Sequence, residues 1–138
     1  MLEFNLFLID YWYFSVPLFF FIFLFAYSEM NKGGKKIEPN ELTRLVNKES
    51  AILIDIRKKE DYENGHIMTA LNYPHQEFDN QMHELEKFKD RPIILVCDMG
   101  RNSANIGEKL KKAEFEKTFR LNGGMMTWTQ ENLPVVQK

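Results

Sequence analysis

At 138 residues, 44% apolar and 28% charged, the chain has room for one globular domain of about 100 residues plus a short appendage. Its 18 basic and 20 acidic side chains nearly cancel, which argues against a nucleic-acid-binding surface. The single cysteine, Cys97, excludes an internal disulfide and fits a reducing compartment.

The appendage comes first. Eight of the twelve phenylalanines precede residue 26, and residues 11–28 carry no charge between Asp10 and Glu29. Eighteen helical residues reach about 27 Å, close to the thickness of a bilayer's hydrocarbon core. Tyr11, Trp12, Tyr13 and Tyr27 flank the segment as interfacial aromatics do. Pro17 is tolerated in membrane helices. Part of Leu2 to Ile9 extends the span only by bringing Asp10 to the membrane. A cleaved signal peptide needs a basic start and a small-residue cleavage site, whereas the first basic side chain is Lys32. A buried soluble helix fits poorly as well, since the segment has no polar face. Residues 1–30 therefore read as a single anchor spanning about 11–28. Lys32, Lys35 and Lys36 come directly after the span and no Lys or Arg precedes it, which places the C-terminal domain on the cytoplasmic side. Residues 31–36 read as a flexible polar linker.

The domain, 37–138, alternates strand and helix signals. Leu42, Leu45 and Val46 recur at helical spacing behind Pro39, which suits a first helical turn. Ala51 to Asp55 reads as a buried strand ending in an acid, and Arg57 to Asn64 as a short helix stopped by Gly65. His66 to Pro74 holds a loop and a short strand. Gln76 to Phe88 reads as a helix with Met82, Leu85 and Phe88 on one side. Ile93 to Val96 is a continuous apolar run, the signature of a strand buried on both faces. Thr118 to Leu121 is the last strand, Gly123 and Gly124 turn the chain, and Met125 to Glu131 forms a short helix carrying Trp128. This alternation predicts an α/β domain with a central parallel sheet.

The candidate site lies where the apolar strand ends. Cys97 follows Val96, the polar loop Asp98 to Asn102 comes next, and a helix capped by Ser103 runs to Lys112. Loop N–H groups and a helix N-terminus both favour the thiolate, which is the nucleophile. The plainer reading of a lone cysteine behind a strand is a small buried hydrophobe. Asp55 and Arg57 read as a structural ion pair, His66 as a structural hydrogen-bonding residue, Gly123 and Gly124 as turn residues that bring backbone close to the loop, and Trp128 as core. His66, His75 and His83 lack metal-ligand spacing, so neither a metal nor another cofactor is expected.

Taken together, these residues resemble a single rhodanese-like (sulfurtransferase) domain from about Ile37 to Val136. The resemblance is carried, in order, by Leu53-Ile-Asp-Ile-Arg57, by Tyr62-Glu-Asn-Gly-His-Ile67 with Ala70-Leu-Asn72 and Pro74, by Val96-Cys-Asp-Met-Gly-Arg-Asn-Ser103, and by Leu121-Asn-Gly-Gly-Met125 with Trp128 and Leu133-Pro134. It implies a three-layer α/β domain. The layout of anchor plus domain is similar to small membrane-tethered bacterial rhodaneses. It further implies that Cys97 takes sulfur from thiosulfate or a protein persulfide, carries it as a persulfide, and passes it to cyanide, a thiol or a protein. The loop Asp98, Met99, Gly100, Arg101, Asn102 and Ser103 would bind substrate, with Asp55, Arg57, His66, Gly123 and Gly124 in support.

The loop departs from the family pattern. The usual arginine stands five residues after the cysteine; here that position is Asn102, and Arg101 precedes it. Asp98 works against both a thiolate and an anionic donor. A rhodanese-like interaction module with an idle Cys97 is therefore the alternative expectation. A phosphatase or arsenate reductase needs an arginine six after the cysteine, where Ser103 stands.

Overall fold

The computed structural model describes residues 1–30 and 32–137 and divides into two compact units, Met1–Asn31 and Lys32–Lys138. The first holds helices α1 (Leu2–Asp10) and α2 (Trp12–Met30), separated at Tyr11, whose φ of −112° and ψ of 36° leave the helical region. Asp10 thus closes a separate helix instead of lying inside one long span. None of the side chains of α2 is buried, and Pro17 sits within it. It is the one helix among the described residues long and apolar enough to cross a membrane.

The second unit is built on a five-stranded, wholly parallel sheet in the order β1-β5-β4-β2-β3: β1 (Lys35–Ile37), β2 (Ile52–Asp55), β3 (Leu71–Asn72), β4 (Ile93–Val96) and β5 (Thr118–Leu121). The apolar runs of β2 and β4 take the interior because both of their faces are covered. On one face Leu53, Ile94, Val96 and Leu121 pack with Leu42 and Leu45 of α3 (Pro39–Lys48) and Met125 and Trp128 of α7 (Gly124–Gln130). On the other, Ile54, Ile93, Leu95 and Cys97 meet Phe78 of α5 (Phe78–Gln81), Leu85 of a 3-10 helix (Met82–Phe88), and Ile106 and Leu110 of α6 (Arg101–Lys112). Helix α4 (Lys59–Asn64) follows β2. The three layers and the parallel sheet are those expected from the sequence, and Trp128 is in the core, its indole N–H bonded to the Pro134 carbonyl at 3.0 Å.

Three expectations are corrected. The segment Gln76 to Phe88 is α5 followed by a 3-10 helix, not one α-helix. Met82, Leu85 and Phe88 recur every three residues, which matches 3.0 residues per turn and puts all three against the core. The flexible linker over 31–36 ends early: Gly33 and Gly34 are buried, and Lys35 and Lys36 belong to β1. Asn31 of that linker, like Lys138 at the end of the domain, lies outside the described residues. Gly33 packs so closely on α6 that a Cβ on Gly107 would fall within contact of its carbonyl oxygen, which explains a glycine in mid-helix. Finally, Ser103 is not the cap of α6. The helix starts two residues earlier, because Gly100, at φ +86°, makes the turn itself, and the Ser103 hydroxyl donates to the Gly100 carbonyl at 2.8 Å.

Candidate active site

In a parallel sheet with helices on both faces, clefts form beyond the carboxyl ends of the strands. Here β2 delivers Asp55 and Arg57 to that end, β4 delivers Cys97, and β5 leads into Gly123 and Gly124. Cys97 is 4% exposed. Its sulfur accepts the Gly100 N–H at 2.8 Å, and the N-terminus of the twelve-residue α6 begins directly after. The first turn of α7 holds the same loop from the other side. Met125 N–H donates to the Cys97 carbonyl at 2.7 Å and Met126 N–H to the Asp98 carbonyl at 3.0 Å. Gly124 must come this close, and at φ +59° it adopts a backbone that glycine favours. The sulfur therefore sits in a rigid backbone cradle at a helix N-terminus.

A cavity of about 170 Å³ opens at this point, lined by Arg57, Lys58, Asp61, His75, Cys97 and Asn102 among others. A neighbouring cavity of about 400 Å³ shares Arg57, Asp61 and Asp98 with it and adds Met99, Met125 and Met126. A wider hollow of about 900 Å³ near Tyr62 and Gln81 does not reach Cys97.

Of the loop residues, Asp98 and Asn102 join Cys97 around the small cavity, and Met99 turns into its methionine-rich neighbour. Arg101 is exposed and has no hydrogen-bond or ion-pair partner among the described residues. Ser103 is buried and holds the loop through Gly100. Asp55 is 1% exposed; its carboxylate accepts from the Arg57 backbone N–H and from Nε and a terminal nitrogen of the same guanidinium, and Arg57 also donates to the Gly65 carbonyl at 2.7 Å. Burial works against the Arg57 charge, yet the Asp55 bonds together with the charges of Asp98 and Asp61 hold its pKa above the ordinary guanidinium value. His66 stacks on Tyr62 with ring centroids 3.8 Å apart, and its Nδ1 lies 2.7 Å from the Tyr62 carbonyl. Both belong to the frame around Gly65, closed by the His66–Val136 bridge.

Lys58, Asp61 and His75 were missed from the sequence. All three follow the ends of β2 and β3, the positions where a parallel sheet gathers its site, and that placement is the signal that would have found them. Among the described residues no cluster of His, Cys, Asp and Glu is fit to hold a metal ion.

Comparison with known proteins agrees with this architecture. The profile of the rhodanese-like domain matches residues 38–131. An uncharacterized protein of Escherichia coli, YibN, is 35% identical over 123 residues, covering 88% of this chain and 86% of its own. The thiosulfate sulfurtransferase GlpE of Shewanella oneidensis is 29% identical over 98 residues, covering 71% and 95%. Among solved structures, a rhodanese-related protein from Thermoplasma volcanium superposes with a TM-score of 0.68 at 24% identity, covering 75% of this chain and 99% of its own. A rhodanese-like domain protein from Staphylococcus aureus gives 0.65 at 25%, covering 75% and 98%. With the profile spanning well over half its length on a three-layer parallel α/β frame, the chain belongs to the rhodanese family.

Proposed function

We propose that the protein is a sulfurtransferase that carries sulfane sulfur as a persulfide on Cys97. The observation that carries this reading is the cradle: a nearly buried sulfur that accepts the Gly100 N–H at 2.8 Å at the head of α6 and faces a small cavity. Such a setting stabilises an anionic sulfur before any substrate arrives. With thiosulfate, the Cys97 thiolate attacks the outer sulfur, a new S–S bond forms, the old one breaks, and sulfite leaves with its electron pair. With a protein persulfide the leaving group is that protein's thiolate. An acceptor nucleophile, either cyanide or a thiolate, then takes the terminal sulfur and restores Cys97. Splitting one transfer into two is covalent catalysis.

The charges at the mouth shape the choice of donor. Arg57 is committed to Asp55, and Lys58 shares the small cavity with Asp61 and Asp98, so among the residues lining that cavity a dianion meets no free guanidinium. The methionine-lined cavity alongside suits an apolar or protein-borne persulfide. Asp98→Asn should raise the rate of loading from thiosulfate about fivefold by removing one like charge near the sulfur, and leave loading from an uncharged organic persulfide within about twofold. Stopped-flow loading with the two donors checks this.

Helix α2 supports a single-pass anchor, and Lys32, Lys35 and Lys36 support a domain on the cytoplasmic face of a bacterial inner membrane. Sulfur would then be handed over at the membrane surface. The exposed carboxylate at Asp98 and the unengaged Arg101 favour one competing reading, a partner-binding module with Cys97 idle. Intact-mass analysis of the full chain in detergent decides between them, with thiosulfate and an organic persulfide as donors and Cys97→Ser as control. The expected result is gain of one reducible sulfur on the unaltered protein alone. No sulfur from either donor, with Cys97 open to a thiol reagent, sinks the sulfurtransferase reading.

A further inference from the structure

The cradle around Cys97 leaves one proton without a destination. Loading from thiosulfate or a persulfide expels an anion and calls for no base. Unloading to a thiol is different. The thiol must lose its proton to become the nucleophile, and the Gly100 N–H beside the sulfur is a donor that takes none up. Besides Cys97 itself, the titratable side chains lining the small cavity are Arg57, Lys58, Asp61, His75 and Asp98. Arg57 and Lys58 are cations, and the carboxylates of Asp61 and Asp98 are poor bases for a thiol. His75 remains, and histidine is the side chain that exchanges a proton near neutral pH.

The fold brings His75 to the sulfur through the end of β2. The Ile56 N–H donates to the Val96 carbonyl at 2.9 Å, and the Ile56 carbonyl accepts the His75 N–H at 3.0 Å. Cys97 and His75 therefore flank the same residue, one on each side. Ile54 is the register partner of Leu95 and of Leu71. Two residues on, Ile56, Cys97 and Tyr73 share a face by alternation, and all three pack in one core cluster. His75 follows Tyr73 by two residues, is half-buried and lines the cavity. A space of about 170 Å³ has room for one small acceptor group, so a thiol held against Cys97 also meets the residues opposite. The His75 ring has no hydrogen-bond or ion-pair partner among the described residues. The other two histidines differ: His66 is held by Tyr62, and His83 is exposed on the 3-10 helix.

We propose that His75 is the general base that takes the proton from a thiol acceptor as it removes sulfur from Cys97. This rests on the sulfur-carrier reading of Cys97 and adds a catalytic residue to it. The acceptor S–H bond breaks, and its proton goes to the neutral imidazole. The electron pair of that bond forms a new S–S bond to the outer sulfur of Cys97–S–SH. The old S–S bond breaks, and Cys97 leaves as a thiolate held by the Gly100 N–H. The acceptor departs as a persulfide, and the imidazolium returns its proton to solvent. No oxidant or reductant enters. Among the groups around the imidazole, Asp61 of α4 and Asp98 of the loop favour its charged form, and Lys58 opposes it. Arg57 is neutralised by Asp55, α6 contributes the uncharged Asn102, and Glu77 of the histidine's own segment is exposed.

The test follows unloading of the full chain in detergent by intact mass. Cys97 is loaded from an organic persulfide, excess donor is removed, and sulfur is then taken by 2-mercaptoethanol or by a neutral, water-soluble tertiary phosphine, between pH 6 and 10. The phosphine attacks with its own lone pair and has no proton to lose. At pH 7, His75→Gln should unload to the thiol at least about tenfold more slowly than the unaltered protein, and to the phosphine within about twofold of it. The thiol deficit should shrink above neutral pH and close to within about twofold by pH 10, where the thiolate forms unaided. An equal loss to both acceptors, a thiol rate within about twofold of the unaltered protein at pH 7, or a deficit that does not change with pH overturns the proposal. If His75→Gln does not fold, His75→Asn carries the same comparison; loss of folding in both would assign His75 to the scaffold and overturn it as well. Loading is read before any acceptor is added, so the two readings fail separately. No loaded sulfur on the unaltered protein sinks the carrier function and the base with it, whereas a loaded protein without the thiol-specific effect sinks only the role of His75.

Discussion

Arg57→Ala is expected to destabilise the domain by about 3–5 kcal/mol, the cost of stranding a buried charge by removing its partner. Asp55 is 1% exposed at the end of β2, and Arg57 supplies its counter-charge together with three side-chain hydrogen bonds and one from the backbone. The backbone N–H bond survives the substitution, but the bidentate guanidinium does not. The bond to the Gly65 carbonyl is lost as well, and with it the tie between β2 and the turn that positions His66. Because Arg57 holds its proton more firmly folded than unfolded, its contribution is fully present below the unfolded guanidinium pKa and is lost only as pH rises through the still higher folded value. No neutral or acid pH removes it by deprotonating Arg57. Urea unfolding followed by circular dichroism reads the effect; a loss under 1 kcal/mol would mean that water reaches Asp55. Asp55→Asn combined with Arg57→Met should recover much of the loss, since a pair removed together leaves no orphan charge.

Gly124→Ala should cost about 2–4 kcal/mol, the sum of an alanine held in the left-handed region and a forced backbone shift. Gly124 lies at φ +59°, and a Cβ there would fall within contact of the Cys97 carbonyl oxygen. The expected loss is functional as well as thermodynamic. The clash pushes α7 away from the loop, so the Met125 and Met126 N–H groups lose the Cys97 and Asp98 carbonyls, and the sulfur is no longer held against Gly100. Sulfur loading should fall at least tenfold even where the variant remains folded at low temperature. Calorimetric Tm together with the mass-based loading assay checks both halves. Unchanged loading with a lowered Tm would show that α7 supports the fold but not the cradle.

Arg57 and Gly124 act on the same cysteine from opposite sides. Arg57 lies at the exit of β2, to which β4 is paired through Asp55 and Val96, and Gly124 lies at the exit of β5 on the far side of β4. The cradle is therefore held across three neighbouring strands, although its own chemistry occupies a single loop.

Much of this was legible in the chain itself. The apolar runs Ile52–Ile54 and Ile93–Val96 required strands covered on both faces, because neither has a polar side to show water. An acid closing the first strand, a lone cysteine closing the second and paired glycines after the last marked the end of the sheet where chemistry would gather. The three-residue spacing of Met82, Leu85 and Phe88 fits a 3-10 helix, but it also fits one side of an α-helix, and spacing by itself does not separate the two. Other features depend on contacts far apart in the chain. Gly33 and Gly34 read as linker because their composition is that of a tether, and they become packed backbone only where α6 presents Gly107 and β5 presents Thr118. Lys58, Asp61 and His75 carry no local pattern and meet Cys97 only once β2, β3 and β4 lie side by side. Arg120 stands in a strand of four residues where alternation alone does not say which face is dry, and the register with Leu95 is what places it on the face that α6 covers. Local hydrophobic pattern thus determined which segments are strands and helices and where the lone cysteine sits, because burial of apolar surface acts over neighbouring residues. The electrostatic surroundings of that cysteine were decided by the tertiary structure, because charge acts through space between residues that the sequence keeps far apart.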